Sequence, residues 1–270
     1  MPAPSKALNP YLAIERGDPG RIGWRIHYFE EIDSTQEAAR ELAAAGSDQG
    51  TVVIAERQTA GRGRMGRTWH SPAGVNLYAT IILRPPIPIA DVPRLSLVAG
   101  VAAAQALDIV APGIVALKWP NDVWLRGRKA GGIIAEAVTD TQSRLSCVLL
   151  GIGININLAA SDIPEELRDK ATSLRIATGH PCDRIALADS LFNLLDSRYM
   201  ETLTRGFESV RPMWERYSAL TGKKVAIVVG DRRESGVVVG IDAGGALLLD
   251  IGERVERIVA GEVSVEGAYE

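Results

Sequence analysis

Residues 61–69 of this 270-residue chain read GRGRMGRTW, with three arginines and three glycines interleaved ahead of a tryptophan. Arginine carries a permanent charge on a forked donor group that suits phosphate and carboxylate oxygens. Glycine lets main-chain N–H groups approach an anion closely, and an indole can stack on a nucleotide base. The segment therefore predicts an anion-binding loop, although a solvated surface loop or a segment that binds RNA non-specifically has the same composition.

The same residues match the pattern G-x-G-x-x-G, which in dinucleotide-binding folds opens a helix at its third glycine. Here Gly66 is followed by RTWHSPAGVNLYATIIL, in which Pro72 and Gly74 would break a helix and a strand-like run follows. No Gly-Lys-Ser/Thr closes a phosphate-binding loop of the Walker type either. We therefore expect a loop between two strands and regard the dinucleotide match as accidental.

A second polar stretch, KWPNDVWLRGRKAGGIIAE, predicts a hairpin. If residues 126–127 form a two-residue turn, Trp124 pairs with Lys129 and Asp122 pairs with Gly131. Opposed residues share a sheet face, so Asp122 and Lys129 would lie together beside a glycine that leaves room for a ligand. They form either an acid–base and electrophile pair or a cross-strand ion pair on a wet surface, which would contribute little to stability.

A third segment, GIGININ, alternates strictly between two kinds of residue. In a strand, Gly151, Gly153, Asn155 and Asn157 would share one face, and the three isoleucines would share the other. The isoleucine face is typical of a core. The glycine and asparagine face would make a floor for a flat ligand with polar edges, or a surface against which a helix crosses closely.

The elements that must position these residues alternate between strand and helix. Ser34 and Glu37 have the spacing of a capping box that begins a helix, and Gly46 can end it. Apolar patterning predicts helices at 34–46, 92–110 and 184–203, and strands at 24–32, 51–56, 76–84, 115–125, 129–138 and 145–158. After residue 221, short β-rich runs separated by Gly and Asp turns predict a small barrel, with runs at 223–229, 234–242, 245–252 and 256–266.

This pattern predicts an α+β chain with three parts: an N-terminal arm at 1–25, rich in proline and other breakers, a large domain at 26–220, and a small β-domain at 221–270. Apolar residues make up 46% of the chain and the formal net charge is −3, which opposes a general nucleic-acid coat. Two cysteines without a C-x-x-C spacing oppose a structural zinc site or a disulfide framework. We expect a cytoplasmic protein, because we find neither a signal peptide nor an apolar run near the length of a membrane span.

Taken together, these features resemble the biotin–protein ligase family, also called biotin–[acetyl-CoA-carboxylase] ligase. Two residues depart from its usual pattern: Gln36 stands where asparagine is usual, and Gly131 stands where alanine is common. The resemblance implies the monofunctional form without an N-terminal DNA-binding domain, since a winged helix needs roughly 60 residues. The motifs that carry the resemblance are DSTQ (33–36), ERQTAGRGRMGRTWHSPAGVNLY (56–78), KWPND (118–122), RKAGGIIAE (128–136) and GIGININ (151–157).

The resemblance implies a mixed-sheet catalytic domain with helices, followed by an SH3-like β-barrel. It also implies a two-step reaction with ATP and biotin as substrates and Mg²⁺ as cofactor. The carboxylate of biotin attacks the α-phosphate to give biotinyl-5′-AMP and pyrophosphate, and a lysine of a biotin carboxyl carrier domain then attacks the acyl carbon. The implied partner is the carrier domain of acetyl-CoA carboxylase or a related carboxylase. The resemblance implies no binding to DNA or to a membrane, and it leaves open whether the protein forms a homodimer.

The resemblance also assigns roles to residues. Arg62 and Lys129 would place positive charge between the two anions, and Asp122 would orient or deprotonate the acceptor lysine. The implied biotin-binding residues are Ser34, Thr35, Gln36, Gln58, Gly61, Arg62, Gly63, Arg64, Lys129, Gly131, Gly132 and Gly151. The implied ATP- and adenylate-binding residues are Arg62, Arg64, Arg67, Trp69, Lys118, Asn121 and Asn155. Mg²⁺ would be held mainly by phosphate oxygens, with Asn121 or Asp122 as candidate ligands, and Ser34 is equally a helix cap.

Three rival interpretations remain at this stage: a lipoate ligase or octanoyl transferase, a nucleic-acid-binding module, and a non-catalytic biotin sink. The W-x-S-P-x-G-x-N-L-Y run behind the arginines favours biotin, and the acidic net charge opposes nucleic acid. A sink would keep Ser34, Thr35 and Gln58 but would not need Lys129. We also expect residues 61–70 to become ordered as a lid when biotin or the adenylate binds, because an acyl-adenylate must be protected from water.

Overall fold

Seven strands form one mixed sheet in the larger part of the protein. The structure is a computed structural model that describes residues 9–229 and 232–265. The strands are β1 (Arg25–Ile32), β2 (Thr51–Gln58), β3 (Leu77–Leu83), β4 (Val115–Lys118), β5 (Asp122–Leu125), β6 (Arg128–Thr139) and β7 (Leu145–Ile154). They lie in the order β1-β2-β3-β7-β6-β5-β4, with β1 and β2 parallel and the other neighbours antiparallel, which confirms the predicted mixed sheet.

Helices cover both faces of this sheet. They are α1 (Thr35–Ala44), α2 (Val92–Val110), α3 (Leu174–Thr178), α4 (Arg184–Arg205) and α5 (Arg211–Tyr217). α1 packs on one face with a small apolar cluster, and α2 and α4 pack together with the larger core on the other. The alanines of α2 let it approach the sheet closely, since residues 102–104 are fully buried. The sequence did not predict α3 and α5, which are too short to show a clear apolar period.

The start of α1 corrects one prediction. The Ser34 hydroxyl accepts a hydrogen bond from the main-chain N–H of Gln36, which satisfies one of the free donors of the first turn. The predicted capping box with Glu37 is wrong, because the Glu37 carboxylate forms ion pairs with Arg40 and Arg62 instead of reaching back to the cap. Ser34 is therefore the N-cap of α1, and it also lines a pocket of the large domain.

Two other predictions fail in the hairpin region. The predicted strand 115–125 is two antiparallel strands, β4 and β5, because residues 119–121 turn the chain and Pro120 cannot donate to a ladder. In the β5–β6 hairpin, Trp124 pairs with Lys129 as predicted. A β-bulge then shifts the register, so that Asp122 lies opposite Gly132. The turn fixes the pairing only next to itself, and a bulge inserts one extra residue farther along.

β7, the last strand of this sheet in chain order, is shorter than predicted. β7 ends at Ile154, and the main-chain N–H groups of Asn155 and Asn157 donate to the carbonyls of Ala130 and Val75. The three isoleucines at 152, 154 and 156 are buried, as predicted. The asparagine side chains point away from the sheet to loop partners, since Asn155 Nδ2 donates to the Thr172 carbonyl and Asn157 Nδ2 to the Cys182 carbonyl.

The C-terminal residues form a five-stranded antiparallel sheet, as expected for a small SH3-like β-domain. Its strands are β8 (Lys224–Val229), β9 (Arg232–Ile241), β10 (Leu247–Asp250), β11 (Val255–Ile258) and β12 (Glu262–Val265), in the order β11-β10-β9-β8-β12. The β9–β10 turn docks on the large domain, where the Trp119 Nε1 donates to the Gly245 carbonyl at 3.0 Å. Gly245 has a positive φ of 77°, and an added Cβ would lie 2.7 Å from a Leu97 methyl group, so the turn favours glycine there.

The segment predicted as an arm packs against the large domain over the residues that the structure describes. Tyr11, in the short 3-10 helix Pro10–Ile14, and Ile22 are both buried in the core. Arg16 forms an ion pair of 2.9 Å with Asp189 on α4. Residues 1–8 of the predicted arm lie outside the described residues. The division of the chain at residues 25 and 220 remains a prediction.

One helical stretch corrects the expectation about apolar runs. Among the described residues, Ile89–Val110 is long and apolar enough to cross a membrane, with a mean hydropathy of 1.3. Of its most apolar window, 67% is buried inside the protein, where α2 packs against α4 and the sheet. This burial is typical of a core helix.

Candidate active site

Two pockets meet beneath the arginine loop, which we define as residues 61–69. The inner pocket has a cavity volume of about 60 Å³ and the outer pocket one of about 360 Å³. Ten of the twelve residues predicted to bind biotin line the inner pocket, all but Gly61 and Gly131. Six of the seven residues predicted to bind ATP line the outer pocket, all but Arg62, which lines the inner one. Trp69 and Lys129 border both pockets.

Gly61 and Gly131 serve the fold instead of lining a pocket. An added Cβ at Gly61 would lie 2.7 Å from both the Ser71 Oγ and the Trp69 carbonyl oxygen, so the base of the loop closes only around glycine. At Gly131 it would lie 3.0 Å from the Gly153 carbonyl oxygen on the next strand. Neither glycine lines the two pockets, and their contact with biotin stays a prediction.

Hydroxyl and amide groups fill the end of the inner pocket. The Thr35 main-chain N–H and hydroxyl both donate to the Gln58 Oε1, at 2.9 and 3.1 Å. The Gln58 Nε2 donates to the Ser71 hydroxyl at 3.1 Å. These bonds hold the Gln58 amide at one orientation in the pocket wall. The arrangement offers a polar ligand both donors and acceptors within a small space.

Gln36 closes the bottom of this pocket. Its Oε1 lies 2.9 Å from the Thr80 hydroxyl and 2.7 Å from the position that a Gly151 Cβ would take. Sequence reasoning missed Thr80, which is fully buried on β3. The signal was present, because Thr80 is the one hydroxyl in the apolar run ATIIL, and a buried hydroxyl requires a polar partner.

The arginine loop is a tight hairpin, and no α-helix follows its third glycine. The main-chain N–H of Gly63 donates to the Arg67 carbonyl at 2.6 Å, and that of Trp69 donates to the Gly61 carbonyl at 2.9 Å. Met65 stands at the tip with a positive φ of 56° and an exposed side chain. The geometry supports the conclusion that the dinucleotide spelling was accidental.

The indole of Trp69 lies on a floor of two glycines. An added Cβ at Gly153 would lie 2.8 Å from the Trp69 Nε1, and one at Gly132 would lie 3.3 Å from the ring. The glycine face of β7 thus receives an aromatic side chain of the protein at Gly153 and the Gln36 amide at Gly151. The Trp69 Nε1 is buried and has no hydrogen-bond partner in the structure.

Lys129 and Asp122 meet where the two pockets join. Their Nζ and Oδ1 atoms are 2.7 Å apart, and the Lys129 Nζ lies 5.5 Å from the centre of a Trp69 ring. An ammonium group over an indole face is attracted by the ring's quadrupole. This contact places the lysine charge within reach of both pockets. The sequence had predicted only that Lys129 and Asp122 share one face of the sheet.

Positive groups dominate the outer pocket. Asp122 is the one carboxylate among the described residues that line it, against five cations: Arg64, Arg67, Lys118, Lys129 and Lys170. Burial lowers the pKa of Lys118, although attraction to Asp122 opposes this shift. Burial also lowers the pKa of the Arg64 guanidinium, again against the attraction of Asp122. Burying these cations thus costs desolvation free energy, and an anion bound beside them would offset that cost.

Side-chain contacts fix several of these groups. The Arg64 Nη1 donates to the Asn121 Oδ1 at 3.0 Å, and the Asn121 Nδ2 donates to the Ile133 carbonyl at 3.0 Å. The Lys118 Nζ lies 5.0 Å from the Trp124 ring centre. Asn155 lines the outer pocket while its Nδ2 donates to the Thr172 carbonyl at 3.0 Å.

Two of the residues predicted to contact the ligand are held by other groups of the protein. Asn157, expected on the ligand floor, exchanges hydrogen bonds with the main chain of Cys182 and lines neither pocket. Arg62 is held by Glu37, with Nη1 and Oε1 2.6 Å apart. Sequence reasoning missed this pair, and it also missed the far wall of the outer pocket, which Leu158, Ile163 and Leu167 form together with Gly261 and Val263 of the C-terminal domain.

Comparison with known proteins agrees with this geometry. Residues 28–155 match the model of the biotin/lipoate A/B protein ligase family, and residues 221–265 match that of the biotin protein ligase C-terminal domain. The biotin–[acetyl-CoA-carboxylase] ligase of Mycobacterium tuberculosis is 36% identical over 252 residues, covering 89% of both chains. The bifunctional ligase/repressor BirA of Bacillus subtilis is 37% identical over 244 residues, covering 90% of this chain and 75% of the relative.

A solved structure of a biotin protein ligase has a fold similar to that of this chain. The biotin protein ligase from Aquifex aeolicus in complex with biotin and ATP superposes with a TM-score of 0.79 and 32% sequence identity. The match covers 89% of this chain and 98% of that one. The chain therefore belongs to the biotin protein ligase family of enzymes.

Proposed function

We propose that this chain activates biotin as biotinyl-5′-AMP, with release of pyrophosphate, and then transfers biotin to a lysine of a carrier domain. The observation that carries the proposal is the position of Lys129, whose Nζ lies where the inner and outer pockets meet. A group at that point can contact the carboxylate of a ligand in one pocket and the phosphates of a ligand in the other.

The inner pocket takes biotin in this proposal. The Thr35 and Gln58 groups, already oriented by their mutual bonds, match the donors and acceptors of a ureido ring. The polar Ser34 lies beside them in the same pocket wall. The glycines at 132 and 151 leave main chain open toward the ligand, and the carboxylate would extend toward Arg62 and Lys129.

The outer pocket takes ATP. Arg64 and Arg67 lie on the loop side of this pocket, where they can contact phosphates, and Lys118 lies opposite them on the sheet. Trp69 and Asn155 would address the adenine. The apolar residues of the far wall would exclude water from the reacting atoms.

The first step brings one anion to another. At an effective dielectric near 20, two like charges about 4 Å apart repel each other by about 4 kcal/mol. Arg62 and Lys129 would offset this repulsion and stabilise the charge that develops on the phosphate oxygens in the transition state. Lys129 already lies where the two pockets meet, whereas Arg62 must leave its partner Glu37 to take part.

The second step requires an uncharged amine. The Asp122 carboxylate would accept a hydrogen bond from the incoming lysine ammonium, orient it and receive its proton. The amine then attacks the acyl carbon, AMP leaves with the electrons of the acyl–phosphate bond, and the nitrogen gives its second proton to solvent as the neutral amide forms. Lys129 would stabilise the negative charge on the acyl oxygen during this attack.

The described residues offer few protein ligands for magnesium. They contain no cluster of three or more His, Cys, Asp or Glu side chains. The two candidate ligands face cations, since the Asn121 Oδ1 accepts from Arg64 and the Asp122 Oδ1 pairs with Lys129. Magnesium usually keeps several water and phosphate ligands, so any ion would enter with the nucleotide. We assign no step to it.

The carrier is the remaining part of the proposal. Relatives from Mycobacterium tuberculosis and Paracoccus denitrificans are named biotin–[acetyl-CoA-carboxylase] ligases. We propose that this chain acts in the cytoplasm on the carrier domain of that carboxylase or a related one, without DNA, as a monomer or homodimer.

A labelling experiment tests the function. Purified enzyme is incubated with a biotin carboxyl carrier domain, biotin and ATP, and covalent labelling of the carrier is measured by mass spectrometry. We expect labelling that requires both substrates and that lipoate and octanoate do not replace. Transfer of lipoate or octanoate instead of biotin would assign the chain to the lipoate side of the family, and binding without transfer would make it a biotin sink.

A further inference from the structure

The arginine expected to contact the ligand carboxylate is already paired with a carboxylate of the protein. The Arg62 Nη1 lies 2.6 Å from the Glu37 Oε1. Glu37 belongs to the first turn of α1, directly after Ser34, Thr35 and Gln36, which line the inner pocket. The ion pair therefore joins the arginine loop to α1 at the inner pocket.

The two partners differ in how firmly they are held. Glu37 also lies against Arg40, whose Nε is 3.7 Å from the Glu37 Oε2, and Arg40 in turn bonds to Glu136 on β6. Arg62 lies between two glycines on a loop, and its side chain is 58% exposed, whereas that of Glu37 is 37% exposed. Glu37 is thus a fixed acceptor on a helix, and Arg62 is the partner that can move away.

We propose that Glu37 is a positioning residue that holds Arg62 in a resting orientation and competes with the ligand carboxylate for it. This inference rests on the proposed role of Arg62 toward the carboxylate of biotin. A carboxylate that enters the inner pocket must take the guanidinium from Glu37, and Glu37 then keeps Arg40 as its partner. Glu37 therefore lowers the affinity for carboxylate ligands, and a ligand without that charge does not meet this competition.

A purely structural role for Glu37 makes a different prediction. An acidic side chain in the first turn interacts favourably with the helix dipole, and the pair with Arg40 adds a little more. If these were its only effects, removing the charge would lower the unfolding temperature and leave the preference for a carboxylate ligand unchanged.

The test compares Glu37→Gln with the wild-type enzyme in calorimetric binding of biotin and of biotinol, the alcohol that lacks the carboxylate. Exposed ion pairs contribute up to about 1 kcal/mol, so we expect about two- to fivefold tighter binding of biotin and unchanged binding of biotinol. The gain should vanish in about 1 M salt, which screens the pair in the wild type. Weaker or unchanged biotin binding, or an equal change for both ligands, would overturn the proposal.

Two further variants separate the possible failures. Glu31→Gln breaks a comparable exposed pair, Glu31–Arg57 at 2.8 Å, which borders neither pocket, and it should leave both affinities unchanged. Arg62→Ala should weaken biotin more than biotinol. If it does so while Glu37→Gln has no effect, only the role of Glu37 is wrong. If Arg62→Ala weakens neither ligand, the proposed role of Arg62 itself fails.

Discussion

Lys129 and Asp122 form an ion pair between strands β6 and β5, with their charged atoms 2.7 Å apart and the Trp69 ring centre 5.5 Å from the lysine nitrogen. Lys129 lines both pockets and Asp122 lines the outer one, so each residue can serve one half of a two-step reaction. The lysine provides charge for adenylate formation, and the aspartate provides a proton acceptor for transfer.

Lys129→Ala should nearly abolish pyrophosphate release while the protein stays folded. Loss of one preorganised charge at the reacting atoms typically lowers kcat by about 10²–10³-fold. The measurement is biotin-dependent pyrophosphate release, with circular dichroism to check the fold. The matched control is Arg128→Ala, which removes an exposed positive charge at the neighbouring residue and should leave the rate near that of the wild type. Near-normal release by Lys129→Ala would rule out its role.

Asp122→Asn should slow the second step more than the first. The amide keeps the shape of the side chain but cannot accept the ammonium proton, so transfer from preformed biotinyl-5′-AMP should fall by about 10²–10⁴-fold. Single-turnover assays of pyrophosphate release and of carrier labelling measure the two steps separately. Equal losses in both would mean that Asp122 acts only by holding Lys129.

Gly153→Ala should impair nucleotide binding by displacing Trp69. The new Cβ would lie 2.8 Å from the indole Nε1, and such overpacking typically costs about 1–3 kcal/mol. We expect a raised KM for ATP with the fold intact. Gly100→Ala in α2 is the control, because its Cβ would meet Leu117 at an ordinary 3.5 Å. An unchanged KM for ATP in Gly153→Ala would show that the indole does not need its glycine floor.

Ligand binding should protect the arginine loop from trypsin. Its three arginines lie in a glycine-rich hairpin whose tip residue, Met65, is exposed, so cleavage should be fast without ligand. Biotin, and more strongly the adenylate, should order residues 61–70 and slow it. Timed digestion followed by mass spectrometry locates the cuts. Equal cleavage with and without ligand would contradict the lid.

The docking turn of the C-terminal domain should weaken in acid. Burial alone would raise the pKa of Asp242, but hydrogen bonds from Arg257 and from the main-chain N–H groups of Ala246 and Gly244 outweigh burial and lower it. A carboxyl whose pKa is lower in the folded state contributes stability that is present above its unfolded-state pKa near 4 and lost as pH falls through the folded value.

The stability of the Asp242→Asn variant should therefore depend less on acid pH than that of the wild type. The wild type should lose more unfolding free energy than the variant when the pH falls from about 5 to about 3. Urea unfolding at a series of pH values measures the difference. Parallel pH profiles would show that the Asp242 charge does not stabilise the turn.

Local patterns predicted much of the fold and of the site. The period-2 strands, the cap at Ser34 and the turn at residues 126–127 depend on neighbours within a few residues, and the structure confirms them. The turn also predicted that Lys129 and Asp122 share one face of the hairpin, and their charged atoms are 2.7 Å apart in the structure. The grouping of Thr35 and Gln58 with Lys129 came from the resemblance to a family, and the structure brings all three to one pocket.

Tertiary packing decided the rest, because the outcome depended on residues far apart in sequence. The sequence did not indicate that a bulge would set Asp122 opposite Gly132, or that Glu37 would take Arg62. Nor could it show that Trp119 would anchor the C-terminal turn through Gly245, 126 residues away. Sequence alone determined which chemical groups were present and which short elements they would form. The fold selected their partners, since ion pairs and aromatic contacts form only where packing brings the side chains together.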